Sequence, residues 1–135
     1  TDTDVSWKLG GGGFISNIDD LAKFAAGLMN HRLVEPATRA KMWTQQKTNG
    51  GQLTTYGLGF SFKHYHEAEV HKWKADGQGV LLVGHSGGQE KTRTYMIFWP
   101  AKKMVVVAMT NSEHAKIGKV TGRLLSVILP PKPLR

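Results

Sequence analysis

The sequence predicts an α+β fold, an antiparallel sheet with flanking helices, and three observations carry that prediction. Apolar residues recur at helical spacing near the start and again near the end. Between them lie short β-branched and aromatic runs of strand length. The last two runs are joined by only four residues, too few for a crossover helix, and the strands are read as antiparallel. Residues 1–45 are read as a helical segment and 56–135 as a sheet followed by a C-terminal helix, within one domain or part of one.

The elements follow in order. After Gly10-Gly11-Gly12-Gly13, read as a flexible approach, Ser16 is the expected helix N-cap, with Asp19 completing a capping box. Leu21, Phe24, Ala25 and Leu28 then form the apolar stripe of a helix over about 17–30. Pro36, favoured in a first turn, opens a second short helix ending near Trp43. The stretch 44-TQQKTNGGQLTT-55 is a polar loop with an Asn-Gly-Gly turn.

Tyr56 to Lys63 alternates, with Tyr56, Leu58, Phe60 and Phe62 on one side and Gly57, Gly59 and Ser61 on the other, where something packs close. His64 to Asp76 is a charged excursion. Val80 to Val83, Arg93 to Trp99 and Met104 to Thr110 are the further strands, the last two joined by Pro100-Ala101-Lys102-Lys103. Asn111 or Ser112 caps a final helix striped by Ile117, Val120, Leu124 and Ile128 and ended by Pro130-Pro131. Gly118 and Gly122 in that helix suggest close packing on the sheet.

Composition narrows the function. With 40% hydrophobic and 21% charged residues the chain has a globular balance. It has no cysteine, which excludes a disulfide framework, a thiol nucleophile and a cysteine zinc site. Net charge is +8, yet the basic residues are scattered, with no aromatic–basic pattern of a nucleic-acid surface. The longest apolar runs are strand-sized, so no membrane span is expected. The start, TDTDVSWK, has no basic-then-apolar export pattern and reads like a chain entered midway; the compartment stays open. His64, His66 and His71 invite a metal, but solvated histidines on a hairpin excursion explain them, and no metal or other cofactor is expected. The four tryptophans are read as core or half-buried packing.

The chemistry concentrates in 80-VLLVGHSGGQ-89, where Gly84-His85-Ser86-Gly87-Gly88 fits G-x-S-x-G. A nucleophile elbow needs a strand, a sharp turn and then a helix. Here Ser86 is followed by Gly87-Gly88 and the strand-like 93-RTYMIFW-99, no Asp follows residue 76, and His114 is the only later histidine. Adjacent Glu113 is poorly placed to orient it. The elbow reading is therefore set aside.

Read as His85-Ser86-Gly87-Gly88 at the end of an edge strand, the same residues resemble the third motif (Lys or His, Ser or Thr, Gly) of the serine β-lactamase and penicillin-binding-protein superfamily, closest to its class C and esterase-like branch. The Gly-rich 10-GGGGFIS-16 with Asp20-Leu21-Ala22-Lys23-Phe24, then Met42-Trp43-Thr44, 56-YGLGF-60, and Phe98-Trp99-Pro100 through Val107-Ala108-Met109-Thr110-Asn111 follow in the family's order, covering Trp7 to about Leu129. The resemblance implies acyl transfer through a Ser-x-x-Lys serine assisted by a Tyr-x-Asn tyrosine. It implies that His85 helps orient a substrate carboxylate and the proton network, that Ser86 hydrogen-bonds the substrate, and that the Gly88 N–H supplies half of an oxyanion hole. Gly87, Gln89 and Tyr56 are the implied substrate contacts. Neither Ser-x-x-Lys nor Tyr-x-Asn occurs in the 135 residues. In the family both lie upstream of the matched segment, so the chain is expected to be a C-terminal half, inactive alone, acting on a small acyl substrate only with the missing half. The alternatives are a noncatalytic module that self-associates through an unpaired sheet edge, and a compact hydrolase using Ser86 with His85 or His114.

Overall fold

The structure, a computed structural model, describes residues 4, 6–62 and 82–128. The fold is α+β. A 3-10 turn (Ser6–Lys8) runs into a single helical turn, α1 (Leu9–Gly12), followed by α2 (Ile18–Met29) and α3 (Pro36–Met42). After the loop region come β1 (Val83–Gln89), β2 (Thr92–Trp99), β3 (Met104–Thr110) and α4 (Ile117–Ile128). The strands form an antiparallel meander in the order β1-β2-β3, which leaves β1 at an edge.

Alternation along the strands divides the core in two. Val83, Met96 and Phe98 face α2 and α3, packing with Ala25, Leu28, Met29, Trp43 and Phe60. Tyr95, Ile97, Trp99 and Val106 face the other way, against Ile117 and Leu125 of α4. Phe98 is fully buried and forms an aromatic cluster with Trp43 (5.1 Å between centroids) and Phe60 (5.8 Å).

Several expectations are corrected locally. The α2 cap is Asn17 rather than Ser16: its side chain accepts the Asp20 N–H at 2.9 Å and donates to the Asp20 carboxylate at 2.9 Å. The reciprocal pair satisfies an orphan helix donor one residue later than the pattern suggested. Phe24 is exposed, while Met29 joins the buried stripe. Residues 56–62 form no strand. The Gly57 N–H donates to the Phe60 carbonyl (2.7 Å), reversing the chain tightly around Gly59, whose φ of +77° suits glycine. Tyr56 and Leu58 are exposed, so the alternation there is coincidental. Gly57 is packed close, as expected, because a side chain there would strike the Met42 carbonyl.

The helix α4 begins at Ile117, five residues beyond Ser112, and its buried stripe is Ile117, Thr121 and Leu125. Val120 and Leu124 are exposed, and Gly118 faces open space instead of the sheet. Trp43 and Trp99 are buried, but Trp7 is exposed. The His64–Asp76 excursion, Val80, Leu81, Trp73 and Pro130-Pro131 lie outside the described residues. Among the described residues no helix is long and apolar enough to cross a membrane.

Candidate functional site

The strand β1 continues straight through the glycine-rich stretch. Its register with β2 runs without interruption from Val83↔Phe98 through His85↔Met96, Ser86↔Tyr95, Gly87↔Thr94 and Gly88↔Arg93 to Gln89↔Thr92. Glycine at 84 and 87 is what allows this close pairing. A Cβ on Gly84 would lie 2.6 Å from the Met96 carbonyl oxygen, and one on Gly87 would collide with the Thr94 hydroxyl. After Gln89 the chain turns through Glu90 and Lys91, the latter at φ 62°, into β2. No helix directly follows Ser86, since β1 turns back into β2, so the elbow is excluded structurally as well.

The register also separates the two chemical side chains. His85 shares the α2–α3 face with Met96, and Ser86 the α4 face with Tyr95. Neighbouring residues of a strand point to opposite faces, so His85 is badly placed to act as base for Ser86. The two side chains lie on different sides of one wall.

Among the described residues, the outer edge of β1 is occupied only at its start. Ser61 N–H donates to the Gly84 carbonyl (2.8 Å), Gly84 N–H donates to the Ser61 carbonyl (3.0 Å), and the buried Ser61 hydroxyl adds a third bond to the Gly84 carbonyl at 3.0 Å. Because Gly84 spends its backbone groups outward, antiparallel alternation turns those of His85, Gly87 and Gln89 toward β2. The N–H and C=O of Ser86 and Gly88 are then directed outward, where no described strand pairs with them.

Ser86, Gly87, Gly88 and Gln89 line a concavity of about 440 Å³ together with Glu90, Arg93, Thr94, Glu113 and Ile117. His85 and Tyr56 are not part of that lining. They meet each other instead, the Tyr56 ring approaching the imidazole edge-on. The Arg93 guanidinium reaches over the strand end and donates to the carbonyls of Gln89 and Thr92, both at 2.7 Å. Its atoms pass 3.4 Å from where a Gly88 side chain would begin. The Glu113 carboxylate accepts the Lys91 N–H at 3.2 Å and contacts His114 at 3.5 Å, tying the turn to the loop after β3. Adjacency therefore does let Glu113 touch His114, in an exposed pair.

Chemically, the arrangement brings a guanidinium, a small hydroxyl and outward strand N–H groups to the same end of β1, a combination that suits a carbonyl or oxyanion lying along the strand. Sequence reasoning missed Arg93, Thr94, Glu113 and Ser61. The short connection 89-QEKT-92 carried the signal for the first two, since closing a hairpin there sets Arg93 opposite Gly88. Nothing in the sequence pointed to Ser61 as the partner of Gly84. The metal reading of His64, His66 and His71 lies outside the described residues.

A model of the family described as Beta-lactamase matches residues 1–127. No curated protein matches the chain.

Proposed function

Because the chain belongs to the Beta-lactamase family, we propose that it forms one wall of a serine-hydrolase site for acyl transfer on β-lactam, peptide or ester substrates. The serine nucleophile and its lysine come from outside these 135 residues, which contain no Ser-x-x-Lys. The chain corresponds to the C-terminal part of the fold and is inactive alone.

The observation that carries this reading is the outward direction of the Ser86 and Gly88 backbone groups on an edge strand. A substrate carbonyl lying beside β1 receives the Gly88 N–H, one donor of an oxyanion hole, and loss of such a donor typically costs about 3 kcal/mol of transition-state stabilisation. Ser86 hydrogen-bonds the substrate from the α4 side. His85 acts from the other face, braced by Tyr56, on the substrate carboxylate and proton network. Gly87 keeps the approach free of side chain, and Gln89 closes the end.

A second reading is a noncatalytic module that keeps this wall and pairs through its open edge with a second copy. The same edge favours it.

Intact-mass analysis after exposure to a fluorophosphonate, and separately to a reactive penicillin, tests the proposal. An unmodified mass is expected. A stoichiometric adduct that disappears in Ser86→Ala overturns it and makes the chain a compact hydrolase. An unmodified protein that sedimentation shows to be a stable dimer favours the second reading.

A further inference from the structure

We propose that Ser61 determines substrate length by ending the usable edge of β1 at Gly84. The inference rests on the reading of β1 as a ligand-binding wall. Ser61 meets both outward groups of Gly84 through its backbone, and its hydroxyl donates a second bond to the same carbonyl. A carbonyl oxygen has two lone pairs, and here both are used. An incoming chain has nothing to bond at Gly84 unless it displaces Ser61, which would strand a buried hydroxyl without its acceptor.

The other end of the edge is fixed as well. Beyond Gln89 the backbone leaves the strand through Glu90 and Lys91 and turns back into β2. Between these limits only Ser86 and Gly88 present outward peptide groups, about 6.8 Å apart at the usual rise of a strand. A facing chain has one residue opposite each and one between them, so about three extended residues exhaust the edge. The site therefore takes short extended ligands, of di- or tripeptide size, and gains nothing from a longer strand.

Backbone amide spectra of the 15N-labelled protein, titrated with N-acetyl oligoalanine amides from dipeptide to hexapeptide, read this directly. The Ser86 and Gly88 amides are expected to shift, Gly84 to stay in place, and affinity to stop rising at the tripeptide. A hexapeptide that binds about tenfold (1.4 kcal/mol) more tightly than the tripeptide and moves Gly84 overturns the length limit but leaves the wall intact. Shifts at neither Ser86 nor Gly88 with any peptide overturn the wall, and the limit with it.

Ser61→Ala, which keeps the backbone bonds and removes the second donor, isolates the hydroxyl. Faster Gly84 amide exchange is expected, with the tripeptide limit kept by the two remaining backbone bonds. Unchanged Gly84 exchange in this variant removes Ser61 Oγ from the role.

Discussion

The Tyr56 ring stands edge-on to the His85 imidazole, with centroids 6.0 Å apart and ring planes at 83°. One residue comes from the tight turn after the polar loop, the other from the edge strand. Together with the Ser61–Gly84 bonds, the contact fastens that turn to the wall on the face opposite Ser86.

Tyr56→Phe is expected to keep the contact, since the edge-on geometry needs only the ring. Tyr56→Ala removes it, with a small loss of stability, at or below the low end of the roughly 0.5–1.5 kcal/mol typical of aromatic pairs, because Tyr56 is exposed. The His85 ring-proton resonances report it: a change in Tyr56→Ala but not in Tyr56→Phe is the expected pattern. Unchanged resonances in both would rule out the contact in solution.

Two glycine substitutions should act with opposite sign. Gly84→Ala forces a methyl against the Met96 carbonyl, backbone against backbone, and should destabilise by about 1–3 kcal/mol. Gly118→Ala fills open space in the first turn of α4 and should stabilise by at most about 1 kcal/mol. Urea midpoints of the two variants, compared with the parent, check both signs.

Phe98→Ala empties the centre of the Trp43–Phe60–Phe98 cluster. The expected loss is about 3–5 kcal/mol. That is a large fraction of the roughly 5–15 kcal/mol that holds a typical domain folded. Loss of the cooperative near-ultraviolet dichroism transition is the expected result; a midpoint close to the parent's would show that the cluster contributes little.

Asn17→Ala removes both halves of the α2 cap and should cost about 1 kcal/mol. Ser16→Ala should be nearly neutral, since among the described residues the Ser16 hydroxyl meets only the neighbouring Asn17 carbonyl. Thermal midpoints of the pair decide which residue is the cap.

The sequence made the antiparallel strands and the α2 and α3 spans legible because each rests on local pattern: apolar period, proline at a helix start, short turns. It misread 56–62 because the alternation of Tyr56, Leu58, Phe60 and Phe62 has the period of a strand while the backbone folds back at Gly57–Phe60. It misread the α4 stripe for a related reason. Thr121 is buried and its hydroxyl is satisfied within the helix by the Ile117 carbonyl at 2.9 Å, so a polar residue holds a core position that hydropathy assigns to solvent. At the site, the motif pointed to the right strand, but which side each residue takes depends on strand register. Register depends on contacts distant in sequence.

The Ser61–Gly84 bridge spans 23 positions. The β1–β2 hairpin needs only its own short turn, whereas the bridge must close a longer loop at a higher entropic cost. Little side chain is present along 84-GHSGGQ-89 to hold a register, and glycine-rich strands slip easily. Val83 and the late-arriving Ser61 are therefore what lock the strand, and a slip of one residue would exchange the faces of His85 and Ser86. Until Ser61 docks, the refolding chain carries a longer unpaired edge, which other refolding chains can extend. Refolding yield, more than equilibrium stability, is where a weakened bridge should be felt first, as aggregation that grows with protein concentration.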